Sequence, residues 1–562
     1  MPELIALPGS AFHSNAALRP GHRRLGSLTP QQRHEDIEIS LYLRQRPGGP
    51  TVQQSLSWLS AHPAPARRHL DAQRVRDQHG MTTQDRDLVV RWAQQNGLRV
   101  TAENAMTRRI AVRGAAERCA ELFGVELSRF ATETAGRSVE YRGHAGPVRL
   151  PQPLAGVVTS VLGLDDRPIA HSHVRQSGGT RPALVSYDPS EIAGIYAYPR
   201  LPGEGRDMHL VAGMIELGGT VHSADVASSF ARLGLAPPSI VNVAIDGAVP
   251  RSDPDGADVE VALDYQVIGA MIAAMAPQAQ VTIVSYNAPN TERGFVDAVA
   301  AAAADDVRRP AAVSISWGGD EDVWSLQGMR AMDDAFATGS LRGLTYSAAA
   351  GDQGSADAHA DGLQHPEFPA SSPHVWSCGG TTLLAVRSRI VSEAVWNELR
   401  RGAGAAGSGV SGVFAPPSYQ RSAGIEARSI DGGVPGRGMP DASGVADPLT
   451  GWNIVALGTL RTTGGTSAVA PMYTALWTLG AALQERRIGL PHPQLYAGRG
   501  RGFNDITAGN TGGPYSAARG WDAASGWGSP VGRLIVRQLA IPLPRLAAQR
   551  RERREARTVD IG

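Results

Sequence analysis

Ile37, Ile39, Leu41 and Leu43 alternate with polar neighbours, the two-residue period of a half-buried strand. Leu88 and Trp92 then share one face of a helix predicted over 85–96, with Thr82 placed to cap it and Gly97 to stop it. Strand-like runs at 98–101 and 110–112, a helix over 115–123 and a short strand at 125–130 complete a β-α-β-β-α-β order. That order predicts a small two-layer, ferredoxin-like α+β domain with its core at about 36–130, inside an N-terminal unit of residues 1–169.

From about residue 160 the periodicity fades into Arg-Pro, His-Ser-His and Ser-Gly-Gly-Thr, which reads as an exposed linker, bounded at 170–185. Beyond it, apolar runs at 209–217, 281–286, 311–317 and 344–349 alternate with helical stretches at 295–305 and 329–337. This alternation predicts a doubly wound parallel sheet, an α/β domain over 186–540. Open sheets of this kind carry their sites at the carboxyl ends of the strands, and Glu216, Trp317 and Asp352 fall at such ends. Residues 541–562 mix many arginines with Glu552 and Glu555, the pattern of a solvated or frayed helix.

Composition narrows the partners. The chain has 562 residues, 42% hydrophobic and 19% charged, with a formal net charge of +1, so nothing draws it electrostatically to nucleic acid or anionic lipid. Cys119 and Cys378 are its only cysteines, too few for a disulfide framework, and both are expected as free thiols. The first residues show neither a basic stretch nor a long apolar core, and no run of about eighteen apolar residues follows, so no membrane span is expected.

The chemistry gathers around Gly464-Gly465-Thr466-Ser467-Ala468, a Ser on the turn between a Gly-rich segment and a helical pattern over 468–483. Such a hydroxyl needs a base to take its proton. No histidine stands in a His-Gly-Thr or His-Gly-Ser setting, and His222, His359 and His365 read as surface or loop residues. Glu260 and Asp264, four residues apart, share a face of any helix through them. The flanking Val261, Ala262, Leu263, Val267, Ile268, Ala270 and Met271 predict that this helix is buried, and buried carboxylates need a partner or a purpose.

These residues resemble the sedolisins, the serine-carboxyl peptidases, and most closely their kumamolisin branch. The resemblance rests on Ile215-Glu216-Leu217-Gly218-Gly219, Glu260-Val261-Ala262-Leu263-Asp264, Ser314-Ile315-Ser316-Trp317-Gly318-Gly319, Ala349-Ala350-Gly351-Asp352-Gln353-Gly354, Phe368-Pro369-Ala370-Ser371-Ser372-Pro373, Cys378-Gly379-Gly380-Thr381 and Gly464-Gly465-Thr466-Ser467. It implies a subtilisin-like fold with Ser467 as nucleophile, Glu260 as general base and then acid, Asp264 holding Glu260, and Asp352 completing an oxyanion hole. Glu216 and Trp317 would extend the network. It implies an N-terminal pro-domain that inhibits its own chain, cleavage in the linker, polypeptide substrates, an extracellular monomer and activity in acid. It also implies one Ca²⁺, held by Asp505, Ile506, Ala518, Gly520 and Asp522. Ala518 stands where close kin have Gly, Gln353 replaces a usual Ser, and Glu367 replaces a frequent Asp. A His-dependent subtilase and a catalytically silent peptide-binding relative are the competing readings.

Overall fold

The computed structural model describes residues 3–11, 22–134, 137–176, 183–202, 208–254 and 256–541. Residues 177–182 of the linker, and all but Ile541 of the Arg-rich segment, lie outside the described residues.

The N-terminal unit has the expected ferredoxin-like order, with one exchange. Asp36–Leu43 pairs antiparallel with Arg109–Ala115, which pairs antiparallel with Arg99–Asn104. Thr82 caps the Thr83–Gln95 helix by accepting from the Asp85 amide. The fourth strand is Val158–Leu162, on the other side of Asp36–Leu43. The run expected in that place becomes Leu127–Thr134 and joins a separate sheet between Arg23–Ser27 and Arg137–His144. Val158–Leu162 carries four buried positions out of five. From about residue 160 it reads as linker in the sequence because its partner strand lies over a hundred residues away and no local turn announces the pairing. Ile39, Leu41, Val89, Ile110, Val112 and Phe123 form the core of this unit.

The larger unit is a doubly wound sheet of eight strands. In spatial order they run Ser239–Ala244, Gln280–Asn287, His209–Glu216, Ala312–Ile315, Thr345–Ala349 and Trp376–Val386, all parallel. Ala442–Val445 extends the sheet in parallel and Arg389–Val395 folds back antiparallel. The Asp258–Met275 and Val469–Leu483 helices lie in the core on one face, and Glu292–Ala304 and Leu326–Leu341 in the core on the other. Asp258–Met275 is buried along nearly its whole length, as a helix apolar on every side must be. Chain order reverses between His209–Glu216 and Ala312–Ile315, which opens a crevice beyond their carboxyl ends.

The N-terminal unit docks on the second face. Val52, Leu56 and Leu59 pack on Ala337, Leu341 and Leu490. Beside this apolar contact lies an ionic one. Arg109 reaches Asp246 at 2.9 Å and Asp297 at 2.6 Å, and Ser40 and Tyr42 donate to Asp297 at 2.6 and 2.5 Å. Arg293 pairs with Asp246 at 2.8 Å.

Both cysteines are buried free thiols. No helix among the described residues is long and apolar enough to cross a membrane.

Candidate functional site

Ser467 sits in a single tight turn, Thr466–Ala468, that leads into the Val469–Leu483 helix. Its hydroxyl donates to Glu260 Oε2 at 2.8 Å. Glu260 and Asp264 stand one turn apart on Asp258–Met275, both fully buried. Ser316, just past the Ala312–Ile315 strand, donates to Asp264 Oδ1 at 2.7 Å and to the Ser467 carbonyl at 3.2 Å, tying the carboxylate to the turn. Trp317 donates its indole N–H to Glu216 Oε2 at 3.1 Å. The sequence-predicted residues Ser467, Glu260, Asp264, Glu216 and Trp317 thus converge from four chain segments. No histidine ring among the described residues bonds the Ser467 hydroxyl, whose other partner is the Ser316 carbonyl at 3.4 Å.

The electrostatics are unusual. Burial pushes the carboxyls of Glu216, Glu260 and Asp264 up from their ordinary values, and the Asp264 charge pushes Glu216 and Glu260 further. Glu216 Oε1, Glu260 Oε1 and Asp264 Oδ2 are buried without a hydrogen-bond partner. Three carboxyls without a cation among them cannot all ionise, so protons are stored in the set, and it titrates as a unit.

Asp352 follows the Thr345–Ala349 strand on the opposite side of Ser467. Its Oδ1 accepts from the Thr466 amide at 2.7 Å and the Thr466 hydroxyl at 2.9 Å. Burial raises its carboxyl above the ordinary range, against the pull of Arg175, His173 and these donors. Gly465 makes the close approach possible. At φ +94°, a Cβ there would lie 1.9 Å from the His173 carbonyl oxygen and 2.5 Å from Asp352 Oδ2.

The linker is the largest departure from expectation. Far from being exposed over its whole length, residues 171–176 run through the cleft. His171–Ser172 pairs antiparallel with Trp317–Asp320, and Arg175–Gln176 pairs antiparallel with Thr459–Gly464. Between these contacts the His173 amide donates to the Ser316 carbonyl at 3.2 Å, and the Ser467 amide points at the His173 carbonyl at 3.4 Å. The His173 ring is buried against Glu367, Nε2 to Oε2 2.8 Å. Burial pushes this imidazole down to about 4 and the Glu367 carboxyl well up. Sequence reasoning missed Ser316, Thr466, His173 and Arg175 as members of the site. The first two adjoin quoted motifs, which was a usable signal, whereas nothing local marks the linker residues. His222 pairs with Asp258, His359 with Asp320 and His365 with Asp322 and Asp361, all away from Ser467.

A second group lies at the sheet's far end. Gly520 donates its amide to both Asp505 oxygens at 3.2 Å, and Ala518 donates to Asp522 Oδ2 at 2.8 Å, so two carboxylates meet on one turn. Ala518 is not among the residues with positive φ, so its Cβ costs nothing there. Carboxylates and carbonyls are the hard oxygen donors that Ca²⁺ takes.

Comparison with known proteins agrees with this geometry. Residues 21–167 match the family described as pro-kumamolisin, activation domain. Kumamolisin of Bacillus sp. (strain MN-32) is 37% identical, over 92% of this chain and 93% of its own. Sedolisin of Pseudomonas sp. (strain 101) is 29% identical over 69% of this chain and 68% of its own. The solved structure of Pseudomonas sedolisin, complexed with pseudo-iodotyrostatin, superposes with a TM-score of 0.54 at 28% identity and covers 64% of this chain and 98% of that one. An activation domain docked on a doubly wound sheet, together with identity running along nearly the whole chain, leaves one assignment: this serine-type peptidase belongs to the sedolisin, or serine-carboxyl peptidase, family.

Proposed function

We propose that the chain is the zymogen of an acid-acting endopeptidase whose reacting groups are Ser467, Glu260, Asp264 and Asp352. The observation that carries this is the 2.8 Å hydrogen bond from the Ser467 hydroxyl to a buried glutamate, with no histidine in its place. Burial makes Glu260 a stronger base than an exposed carboxylate, able to take the Ser467 proton as Oγ attacks a carbonyl carbon. Asp264, fixed by Ser316, and Glu216, fixed by Trp317, hold the neighbouring proton and orient Glu260. The oxyanion that forms faces the Ser467 amide and Asp352, which donates only when protonated; acid supplies that proton.

The docked linker supplies the first substrate. With its carbonyl opposite the Ser467 amide, the His173–Val174 bond is the one presented. The Ser467 Oγ–C bond forms, the C–N bond breaks, the proton passes from Glu260 to the Val174 nitrogen, and water then releases the acyl group. Activation therefore cuts at this bond, inside the 170–185 linker. The cut N-terminal unit stays as an inhibitor until it undocks. His69 gives undocking its acid dependence. It packs against Gly343 and Gly489 under Arg67 and Arg487, and burial pushes it down to about 3. A histidine held neutral when docked and free to protonate when released loses docking stability as pH falls below about 6.5. Asp246, pushed up to about 7 by burial and by Asp297, takes up its proton in the docked state and works in the opposite sense.

Asp505, Asp522 and the carbonyls of Ile506, Ala518 and Gly520 would hold one Ca²⁺, which supplies charge neutralisation that braces this end of the domain. An extracellular setting, polypeptide substrates and a monomeric enzyme belong to the same reading.

The test is hydrolysis of an unfolded protein from about pH 2.5 to about pH 9 by acid-treated wild type, Glu260→Ala and Ser467→Ala. Activity confined to acid and abolished in both variants is expected. Neutral activity that survives Glu260→Ala would sink the reading.

A further inference from the structure

Arg175 lies two residues beyond the carbonyl that faces Ser467, on the leaving-group side of the presented bond. Its Nε is 3.3 Å from Asp352 Oδ2, an ion pair between a side chain one-third exposed and one fully buried. The pair is not an aligned hydrogen bond, and Oδ2 has no other donor. The carboxyl is thus divided in its attachments. Oδ1 is saturated by Thr466, while Oδ2, the oxygen beside the His173 carbonyl, is faced by a guanidinium.

A guanidinium favours the charged form of a carboxyl beside it. On the reading of Asp352 given above, on which this inference rests, that is the wrong form for chemistry, because a carboxylate has no proton to donate to an oxyanion. The charges facing Asp352 come from three elements. The linker brings Arg175 and the His173 imidazole, the Glu367–Phe368 strand brings Glu367, and the Asp258–Met275 helix brings Glu260. Arg175 is the only permanent cation among those four, and it lies on the leaving-group strand that cleavage at His173–Val174 severs from the N-terminal unit.

We propose that Arg175 is an autoinhibitory latch: while the linker is intact, its guanidinium favours the carboxylate form of Asp352, so self-cleavage needs a lower pH than cleavage of a substrate without a cation at that position. Cleavage leaves Arg175 next to a free N-terminus at Val174, no longer tethered across the cleft, and the guanidinium withdraws from Asp352 with it. The enzyme then works at a pH at which its own zymogen is silent, and a neutral compartment holds the chain inactive even while its nucleophile and base are already hydrogen-bonded. Arg175 is a positioning residue in this account, acting through Asp352.

The test follows the new N-terminus at Val174 in full-length chains held at a series of pH values. Arg175→Gln is expected to raise the midpoint pH of processing by about one unit or more, the low end of what a neighbouring charge does to a carboxyl, whereas Arg175→Lys keeps the wild-type midpoint. An unchanged midpoint in Arg175→Gln overturns the latch. In case that variant folds poorly, peptides spanning 168–179 with Arg or Gln at position 175 are offered to the processed enzyme. The Arg peptide is expected to show its kcat/KM profile displaced to lower pH, and superimposed profiles overturn the proposal. Asp352→Ala separates the two levels. If it processes as fast as wild type, the oxyanion assignment fails and the latch with it. If it is silent while Arg175→Gln is unshifted, the latch alone fails.

Discussion

Two clusters of buried carboxyls sit on opposite faces of the same sheet, and they solve the same problem in different ways. At the docking face, Asp246 and Asp297 are met by Arg109 and Arg293. In the cleft, Glu216, Glu260 and Asp264 have no cationic partner among the described residues, only hydroxyl and indole donors. A buried negative charge must be paired or neutralised. The first cluster is met by arginines and holds two units together, although burial and Asp297 still push Asp246 up to about 7. The second is neutralised by protons, which makes it a store of exchangeable protons next to a nucleophile. Carboxyl burial alone therefore says little about function; the absence of an arginine does.

The comparison breaks most visibly in the cleft. Glu260→Ala and Ser467→Ala are each expected to lower kcat/KM on a peptide by on the order of 10⁴-fold or more, with the intact chain persisting on acidification in gel and mass measurements. Asp352→Ala should cost about 10² to 10³ in kcat, the loss seen when one oxyanion donor goes. On the docking face, Arg109→Gln leaves two carboxylates short of a partner. It should weaken docking by about 3 kcal/mol, read from denaturant unfolding of a Ser467→Ala chain that cannot cut itself.

A titration sharpens the contrast. Because the Glu216 and Asp264 carboxyls are raised in the folded state, the fold binds more protons than the unfolded chain above about pH 4. Their contribution to stability is full below that pH and is lost as pH rises. The Tm of the processed domain should therefore fall toward neutrality, and Glu216→Gln should flatten the slope. The smallest effect is expected at the oxygen-lined turn, where Asp505→Ala should remove only the few degrees of Tm that added Ca²⁺ gives the wild type, with unchanged Tm in chelator.

Much of this was legible in advance because the decisive residues lie in short local patterns. Glu260 and Asp264 are one helical turn apart in an apolar run, and Ser467 lies on a Gly-rich turn before a helix, so their meeting followed from local periodicity plus family likeness. Val158–Leu162 and residues 171–176 were misread for one reason. Each becomes a strand only through a partner far along the chain, and neither carries a turn signal of its own. The arginine pairing at Asp246 and Asp297 was invisible for the same cause, since Arg109 approaches from the other unit.

The threading of the linker through the cleft also fixes a kinetic order. Its two short pairings flank the His173–Val174 bond and are part of the same covalent chain as Ser467. Each molecule thus holds one captive substrate at a concentration that dilution cannot change. On the proposed chemistry, maturation is a first-order, single-turnover event whose half-time is the same in a dilute secretion as in a concentrated stock. The enzyme released by it is the first species in the sequence whose rate depends on how much substrate surrounds it.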